Sequence, residues 1–483
     1  MTISSALSTT TPPFRPDLFS AGERLSGDPL EVRSPWAGSL VGIVPTGGSV
    51  ETADAIDAAH RATRDPLPAY RRAEILDRAA AGIEANRDAF ARILALEIGK
   101  PVSQAMVEVD RCVQTFRFSA AEARTLTGTG VAFDAHPAGV GHRGFTIRVP
   151  IGVIAAITPF NFPLNLAAHK IGPAIATGCG VVLKPSRDAP LAAAALAHIL
   201  YEAGLPVEAL SVVVGSSSEI GDVLIEDQRV GMITFTGSSE VGWQIAARAP
   251  QKRVSLELGN STPVIVCADA DLGAAAGAVA ASGFGFAGQS CISVQRVIVE
   301  RSVHGRFVGA LMSASAGKIV GDPLDPTTFV GPLINHQARR RVATWIDEAL
   351  ESGASSLVDA TGAPHIGPTV LDGVDPADLV WHDEVFGPVV GIRTFDGFSE
   401  AVEMANGTEY GLQAGIFTTD IGKALDAAEQ LEFGGVTINE TPTFRVDQMP
   451  YGGTKMSGNT REGPRYTVRE MTEERVVVIG ASS

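Results

Sequence analysis

The amino-acid sequence predicts an α/β fold with two doubly wound sheets, and two patterns indicate it. First, short apolar runs alternate with helical stretches in the middle of the chain, as buried parallel strands joined by crossover helices do. These runs are residues 152–157, 181–183, 210–214 and 230–235. Second, another cycle of the same kind follows Glu257, with strand-like runs at 264–266, 297–299 and 389–392.

The two ends of the chain depart from this alternation. Apolar residues at helical spacing from 51 to 125 predict a set of N-terminal helices. Residues 126–142 are rich in Gly, Thr and Ala, and we interpret them as a hairpin that leaves the main body. An apolar strand at 476–479 closes the chain, and we expect it to pair with another strand or with another subunit.

Composition excludes several classes of partner. The 483 residues carry a net charge of −16 without a long basic run, so we expect neither a nucleic-acid nor an anionic-membrane partner. The four cysteines form no CxxC pair and no zinc-finger spacing, so we expect no metal site and a reducing, cytoplasmic compartment. Met1–Pro13 lacks the pattern of a signal peptide, and Leu272–Gly288 is too short and too weakly apolar to span a membrane.

Cys291 and Glu257 are the residues that suggest covalent chemistry. A thiolate can add to a carbonyl carbon, and a carboxylate can then activate water against the resulting thioester. For a Cys taken alone, a buried apolar role is the more common alternative. The segments around these two residues favour the catalytic interpretation.

Four further segments predict a ligand site, and each has a structural alternative. Phe235–Ser238 follows a strand and opens a helix, so its backbone can approach a phosphate or form an ordinary turn. Asn161 can cap the next helix or donate its amide to an oxyanion. Lys184 ends a strand at a carboxyl edge, where cofactors bind, unless it is only solvated. Glu384 and Phe386 precede a strand and form either part of a site or a polar turn.

A G-x-G-x-x-G match at Gly283–Gly288 is not interpreted as a dinucleotide motif. It follows a helix-like stretch rich in Ala and Gly rather than a strand, and the acidic residue expected after a second strand is missing. We expect these glycines to provide close packing beneath the Cys291 loop.

Taken together, these segments resemble the aldehyde dehydrogenase superfamily over nearly the whole chain. The motifs that carry the resemblance are, in order, Pro159–Pro163, Lys184–Ser186, Phe235–Ser238, Glu257–Gly259, Gly288–Cys291, Glu384–Pro388, Asn439 and Pro450–Gly458. The closest likeness is to a branch that acts on small polar aldehydes, such as lactaldehyde, glyceraldehyde or its phosphate, succinic semialdehyde, and phosphono- or carboxy-aldehydes.

The resemblance implies a domain division and an oligomer. Residues 1–125 and 147–256 would form a dinucleotide-binding domain, and 257–438 a catalytic domain. Residues 439–465 would anchor the substrate and return to the cofactor domain, while 126–146 and 466–483 would form an oligomerisation arm. A homodimer or homotetramer is expected.

The resemblance also implies a role for each matching residue. Cys291 would be the nucleophile, Glu257 the general base, and Asn161 an oxyanion donor together with the backbone N–H of Cys291. Lys184 would contact the adenosine ribose and Glu384 the nicotinamide ribose. The full set expected to bind NAD(P) is Ile157, Thr158, Pro159, Phe160, Lys184, Ser186, Arg187, Gly237, Ser238, Leu258, Glu384 and Phe386.

The implied reaction is oxidation of an aldehyde to its carboxylic acid by NAD(P)⁺. The intermediates would be a thiohemiacetal and then a thioester on Cys291. Branches that transfer the acyl group to coenzyme A generally lack the carboxylate found here at Glu257, so its presence favours hydrolysis of the thioester.

Two residues depart from the family pattern. Arg187 stands where members that prefer NAD often carry Glu, so repulsion of a 2′-phosphate is removed and a charge-assisted contact becomes available. We expect NADP to be accepted, with its preference over NAD left open; a solvent-facing Arg is the alternative. Asn260 replaces the Gly that usually follows Glu-Leu-Gly and is expected to reshape the turn beside the base.

Four residues are candidates for substrate binding. Arg445, in the loop where the family anchors its substrate, and Arg111, on an N-terminal helix, could together clamp an anionic group. Surface salt bridges are the alternative for both. Ser290 leaves room for a short substrate beside the nucleophile. His169 could add a polar contact, although a lone His on an apolar helix is more often a core residue.

Two other classes of function remain as alternatives. A Cys-dependent hydrolase of the amidase or nitrilase kind would need no nicotinamide, and the motifs for cofactor riboses and phosphates argue against it. A catalytically inactive scaffold would keep only the fold, and the joint presence of Cys291, Glu257 and Asn161 argues against that.

Overall fold

The computed structural model describes residues 14–358 and 365–480, so the predicted tail Met1–Pro13 lies outside the described residues. The α-helices are α1 Ser49–Arg64, α2 Ala69–Ala85, α3 Arg87–Ile98, α4 Val102–Thr125, α5 Asn165–Thr177, α6 Pro190–Glu202, α7 Ser217–Glu226, α8 Ser239–Arg248, α9 Leu272–Phe284, α10 His304–Ala316, α11 His336–Glu351, α12 Leu379–His382, α13 Phe398–Asn406, α14 Ile421–Gln430 and α15 Pro464–Glu470.

The strands are β1 Phe19–Ser20, β2 Glu23–Arg24, β3 Pro29–Arg33, β4 Leu40–Pro45, β5 Gly130–Val131, β6 Arg143–Pro150, β7 Val153–Ile157, β8 Val181–Lys184, β9 Leu210–Val212, β10 Val230–Thr236, β11 Arg253–Glu257, β12 Thr262–Val266, β13 Val294–Glu300, β14 Ser355–Val358, β15 Thr369–Asp372, β16 Val389–Phe395, β17 Gln413–Phe417, β18 Gly435–Ile438 and β19 Thr472–Ile479. Each apolar run that the sequence analysis assigned to a strand forms one, which confirms the predicted α/β class.

The first sheet has five parallel strands in the order β11-β10-β7-β8-β9. The chain enters at β7, adds β8 and β9 on one side, and then crosses to add β10 and β11 on the other. Ligands of such sheets bind beside the carboxyl ends of the strands where the direction of winding reverses. Here that position lies between β7 and β10. Strand β7 is buried along its whole length, as its unbroken apolar sequence predicts.

The second sheet has seven strands in the order β14-β15-β16-β13-β12-β17-β18. Strand β14 is antiparallel to its neighbour, and the other pairings are parallel. Each large sheet contributes to its own apolar core, with Met232 in one and Ile298 in the other. The two doubly wound units of the prediction are therefore present.

A third sheet, β19-β6-β5, is antiparallel and forms the arm. The predicted hairpin at 126–142 is present only in part: its strand β5 has two residues, and its partner β6 begins at Arg143 and extends to Pro150. The arm therefore reaches past the expected boundary at 146. It also returns later than expected, because α15 packs on α4 and α5 and only β19, from Thr472, belongs to the arm.

Helix α5 crosses the core and carries the loop before it into the site. All thirteen of its residues are buried, and it ends at Gly178, whose φ of +85° suits glycine best. Among residues 14–358 and 365–480, no helix has both the length and the apolar character that a bilayer crossing requires. No group of three or more His, Cys, Asp or Glu side chains within those ranges could hold a metal ion.

Candidate active site between two sheet edges

The candidate site lies where the carboxyl edge of the first sheet meets the amino edge of the second. Glu257 is the last residue of β11, at the carboxyl edge. Cys291 precedes β13, which begins at Val294, and Glu384 precedes β16, which begins at Val389. Residues from both edges line one cavity of about 900 Å³. Glu257 thus comes from the first sheet, whereas Cys291 and Glu384 both come from the second.

This cavity brings together most of the residues predicted from the sequence. Those that line it are Arg111, Pro159, Phe160, Asn161, Gly237, Ser238, Glu257, Leu258, Ser290, Cys291, Glu384, Phe386 and Arg445. The chain therefore places the thiol, the carboxylate and the amide predicted for catalysis around one space.

Cys291 sits on a turn with a constrained backbone. Phe286, Ala287 and Gly288 have φ values of +48°, +52° and +69°, and a side chain on Gly288 would collide with the carbonyl oxygen of Gly387. The G-x-G-x-x-G match thus covers the end of helix α9 and the turn after it, where Gly283 and Gly288 allow close packing. Cys291 is partly exposed, whereas the chain's other three cysteines are buried.

The surroundings of Cys291 favour the protonated thiol over the thiolate. Burial raises the pKa of Cys291 to about 12, and the carboxylates Glu384 and Glu257 act in the same direction. A hydrogen bond with Tyr451 opposes the increase: its hydroxyl oxygen lies 3.2 Å from the sulfur. A catalytic thiolate here needs donors that favour its charge.

Glu257 has the features of a poised base. It is 4% exposed, and neither carboxylate oxygen has a hydrogen-bond partner among the described residues. Burial, followed by the neighbouring Glu462, raises the pKa of Glu257 well above its usual value. Lys170 lies 3.5 Å from Glu462 and donates to Thr236 at 2.8 Å, so a line of buried polar groups leads away from Glu257.

Asn161 is oriented by its own neighbours. Its side-chain oxygen accepts the N–H of Phe162 at 3.1 Å, which turns the amide nitrogen toward the Cys291 turn. That nitrogen donates to the carbonyl of Gln289 at 3.1 Å. Asn161 does not cap the following helix, because the N-cap position of α5 is Leu164. The structural alternative for this residue is thus wrong.

Two residues that the sequence analysis missed support the Asn161 loop. Lys100 and Glu108 form a fully buried ion pair, and the ammonium of Lys100 donates to the carbonyl of Asn161 at 2.7 Å. Glu108 accepts the N–H groups of Leu164 and Asn165, at 3.0 and 3.2 Å. It therefore supplies the cap that Leu164 cannot. No sequence pattern around Lys100 or Glu108 predicts that they support the Asn161 loop.

The wall that carries the predicted cofactor residues comes from both sheets and fits a dinucleotide. Gly237 and Ser238 place the amino end of the ten-residue helix α8 at the cavity, where backbone N–H groups favour a phosphate. Glu384 lies over Gly259, where a side chain would approach its carboxylate to 2.6 Å, and accepts the N–H of Asn260 at 3.1 Å. Burial raises the pKa of Glu384 to about 7.

Phe386 and Asn260 complete this wall. Phe386 has a φ of +48° and meets the ring of Phe160 edge-on, with 5.9 Å between the centroids. Asn260 is buried, and its amide donates to Thr262 at 2.8 Å and to the carbonyl of Gln413 at 3.1 Å. Asn260 thus ties the Glu257 turn to the amino edge of the second sheet.

Five predicted cofactor residues lie along the same edge but do not line the cavity: Ile157, Thr158, Lys184, Ser186 and Arg187. These five residues extend the sheet edge beyond the cavity. The ends of β7 and β8 are joined there, because the carbonyl of Lys184 accepts the N–H of Thr158 at 3.1 Å. Lys184 is 6% exposed, and burial, with the nearby Arg187, lowers the pKa of its ammonium. The Arg187 side chain is exposed.

The predicted substrate residues divide into two groups. Arg111, Arg445 and Ser290 line the cavity, whereas His169 does not. The His169 ring is fully buried, 2.9 Å from Asp447 and 3.2 Å from Arg445. The expectation of a substrate contact for His169 is therefore wrong, because its ring belongs to a buried polar network behind the cavity wall.

Both arginines are paired with a carboxylate. Arg111 pairs with Asp447 at 2.8 Å, and Arg445 pairs with Glu462 at 2.7 Å. The guanidinium of Arg445 also lies 3.8 Å from the centroid of the Tyr451 ring. Arg111 keeps 23% of its side chain exposed, against 5% for Arg445. Of the two, Arg111 offers the more accessible charge.

Comparison with known proteins agrees with this geometry. The model of the aldehyde dehydrogenase family matches residues 23–477. The 3-sulfolactaldehyde dehydrogenase of Priestia aryabhattai is 44% identical over 437 residues, which cover 89% of this chain and 91% of that protein. The aldehyde dehydrogenase 21 of Physcomitrella patens, solved in complex with its reaction product succinate, has a TM-score of 0.94 at 35% identity and covers 98% of this chain and 100% of its own.

A second solved structure adds a cofactor complex. The glyceraldehyde-3-phosphate dehydrogenase of Methanocaldococcus jannaschii, complexed with NADP, has a TM-score of 0.90 at 38% identity, with 94% of this chain and 99% of that chain covered. The chain belongs to the aldehyde dehydrogenase family. The predicted class, an NAD(P)-dependent aldehyde dehydrogenase, is thereby confirmed.

Proposed function

We propose that the protein oxidises a small anionic or polar aldehyde to its carboxylic acid with NAD(P)⁺, using Cys291 as nucleophile and Glu257 as general base. One observation carries the proposal: Cys291, Glu257 and Asn161 line a single cavity together with the wall that fits a dinucleotide. A Cys-dependent hydrolase would have no use for that wall.

The residues divide the reaction between them. The Cys291 sulfur adds to the carbonyl carbon, and the resulting oxyanion meets the amide of Asn161 and the backbone N–H of Cys291; one such donor contributes roughly 3 kcal/mol. The bound nicotinamide supplies the acceptor for the hydride that leaves this carbon. Glu257 then takes a proton from the water that cleaves the thioester. Because the pKa of Glu257 is raised, the carboxylate form that can act as a base requires a higher pH than it would for an ordinary glutamate.

Local charge supports an anionic substrate. The guanidinium of Arg111 pairs with Asp447, and that of Arg445 pairs with Glu462. The ammonium of Lys170 also lies 3.5 Å from Glu462. Within this cluster of five groups the cations outnumber the carboxylates, although the chain as a whole carries −16. The names of the relatives point the same way, since sulfolactaldehyde, glyceraldehyde 3-phosphate and succinate all carry an anionic group.

The carboxyl end of β8 supports acceptance of NADP. Lys184 and Arg187 place two positive charges there, close enough for Arg187 to lower the pKa of the Lys184 ammonium. A 2′-phosphate on the adenosine ribose would relieve that repulsion. Asp188 follows, so the charge is partly offset on one side.

Trapping the covalent intermediate tests the reaction itself. With Glu257→Gln, a saturating aldehyde and oxidised cofactor, we expect one rapid turnover and accumulation of an acyl group on Cys291, detected by mass spectrometry of the intact chain and its peptides. Steady turnover should fall roughly 10²-fold or more because general-base help is lost. The Cys291→Ala variant is the control and should show neither event. Full activity in Cys291→Ala would refute the proposal.

A further inference from the structure

Tyr451 is the side chain in hydrogen-bond contact with the Cys291 sulfur. Its hydroxyl oxygen lies 3.2 Å from that sulfur, and the residue is 3% exposed. The ring packs in a small apolar cluster with Ile292 and Leu412, so the phenol has little freedom to leave the sulfur. Tyr451 also lines the same cavity as Glu257.

We propose that Tyr451 is a catalytic residue that donates its O–H hydrogen bond to the Cys291 thiolate and so makes the nucleophile available. The proposal rests on the nucleophilic role of Cys291 proposed above. With both groups neutral, either atom can donate. Once the thiol has lost its proton, only the phenol retains one, and a hydrogen bond to a charged acceptor is stronger than one to a neutral acceptor. The thiol proton passes to solvent water, and the phenol keeps its own proton.

The other groups facing the sulfur make such a donor necessary. The carboxylates of Glu257 and Glu384 both raise the pKa of Cys291, in addition to burial. Arg445 acts in the opposite direction, but Tyr451 is the side chain with a hydrogen bond to the sulfur. Tyr451 is therefore the direct contact through which the thiolate is favoured.

Arg445 is well placed to strengthen this donor. Its guanidinium carbon lies 3.8 Å from the Tyr451 ring centroid, and its terminal nitrogen is 2.7 Å from Glu462. The backbones of Tyr451 and Glu462 are paired by a bridge, which fixes ring, guanidinium and carboxylate relative to one another. A positive charge against the ring makes a phenol a better hydrogen-bond donor. Arg445 is thus a positioning residue for Tyr451.

Alkylation of Cys291 in the full-length enzyme, with no aldehyde or cofactor added, tests the hydrogen bond. Iodoacetamide reacts with thiolates, so its rate constant as a function of pH reports the apparent pKa of the thiol. In Tyr451→Phe, which removes one oxygen, we expect that pKa to rise and the rate constant at neutral pH to fall about tenfold or more. Peptide mass spectrometry assigns the modified cysteine.

Tyr201→Phe is the matched control. Its buried hydroxyl donates to the carbonyl of Leu210 at 2.8 Å, away from the cavity, so alkylation of Cys291 should match wild type. An unchanged pH profile in Tyr451→Phe would overturn the proposal. Should that variant fail to fold, 3-fluorotyrosine at position 451 keeps ring and hydroxyl and donates more strongly. It should lower the apparent pKa of Cys291, and no change would again overturn the proposal.

These outcomes are separable from failure of the proposed function. Alkylation requires no substrate, so it reports the thiol alone. Full aldehyde oxidation by Cys291→Ala would remove the nucleophile and, with it, both proposals. Wild-type alkylation in Tyr451→Phe, together with an inactive Cys291→Ala, would overturn only the role of Tyr451.

Discussion

Of the two arginines predicted to clamp an anion, Arg111 has the charge that is more open to a substrate. It lies on α4, lines the cavity, and shares its guanidinium with Asp447 while part of the side chain stays exposed. An anionic group on the aldehyde would complete the coordination of this guanidinium. The carboxylate of Asp447 would then orient the arginine rather than cancel it, because a guanidinium has five donors.

We therefore predict that Arg111→Gln raises KM for anionic aldehydes by roughly tenfold or more, since a charge-assisted contact is lost, and raises it little for neutral aldehydes. Steady-state kinetics with sulfolactaldehyde, succinic semialdehyde and lactaldehyde would measure this. Arg117→Gln is the matched control, because Arg117 is on the same helix and pairs with Glu84 at the surface. Equal increases for charged and neutral substrates would contradict a contact with the anion.

Arg187 is a residue whose role depends on the cofactor. We predict that Arg187→Glu lowers the ratio of kcat/KM for NADP to that for NAD by roughly tenfold or more, because an attractive charge near the 2′-phosphate becomes repulsive. Arg187→Gln should give an intermediate ratio. Cofactor kinetics at fixed aldehyde, or the Kd of each cofactor by calorimetry, would measure it. A ratio that stays constant through the series would mean that Arg187 faces only solvent.

At the scale of single residues, the sequence predicted those that lie in recognisable motifs. It did not predict those whose role depends on contacts between distant segments. Cys291, Glu257 and Asn161 stand in recognisable segments, and the cavity unites them. Tyr451 stands in such a segment as well, but a contact spanning 160 residues leaves no trace in its spacing. His169 shows the reverse: its polar type suggested a ligand contact, whereas its ring is fully buried and its Nε2 atom lies 2.9 Å from Asp447.

Among the elements, α5 shows how one helix depends on another. Its N-cap Leu164 has no side chain able to accept, and Glu108 of α4 accepts two of its first N–H groups instead. Lys100, from the turn before α4, neutralises Glu108 and holds the carbonyl of Asn161. The Asn161 loop, proposed to supply an oxyanion donor, is thus held by an ion pair on neighbouring elements. Local helix signals predicted α5 itself, but this support depends on tertiary packing.

We predict that Lys100→Met destabilises the protein by about 3–5 kcal/mol, because Glu108 is left as an unpaired buried charge. Lys100→Met with Glu108→Leu should recover much of the stability but not kcat, since the Asn161 carbonyl and the start of α5 still lack their partners. Chemical unfolding and steady-state kinetics on both variants separate the two effects.

The control is Arg87→Met. Arg87 of α3 and Asp110 of α4 form an exposed pair between neighbouring helices, so its loss should change stability little. Full recovery of kcat in the double variant would mean that the buried pair serves stability alone.

For the whole molecule, the arm is the surface that fits a second copy of the chain. Strand β19 lies at the edge of its three-stranded sheet, and Val476, Val478 and Ile479 are each more than half exposed, at 55%, 52% and 55%. Phe145 on β6 is also exposed. An apolar edge strand of this kind is usually covered by another chain. We propose that it forms the interface of a homodimer or homotetramer.

We predict that Val476→Glu with Val478→Glu produces a monomer, because two charges would be buried in that interface. Size-exclusion chromatography with light scattering would measure the mass. Val50→Glu is the control, since Val50 is an exposed valine on α1, away from the arm. An unchanged oligomer in the double variant would exclude the arm as the interface.

The sequence predicted both winding cycles but not how they face each other. The alternation of strands and helices fixes the class, whereas strand order and the meeting of the two edges follow from packing between distant segments. The predicted arm boundaries at 146 and 466 differ from the ends of β6 and α15 in the structure for the same reason. Strand β6 pairs with β19, and α15 packs on α4 and α5, so contacts with distant segments determine where these elements end.

The meeting of opposite edges has an evolutionary consequence. Glu257 closes the last strand of one sheet, and the thiol stands ahead of a strand in the other. A crossover between two relatives just after position 257 would give a chimera with the proposed base from one parent and the proposed nucleophile from the other. Because Arg111 would be inherited together with Glu257, the thiol could be exchanged without the predicted anion contact, provided that the gap between the sheets is preserved.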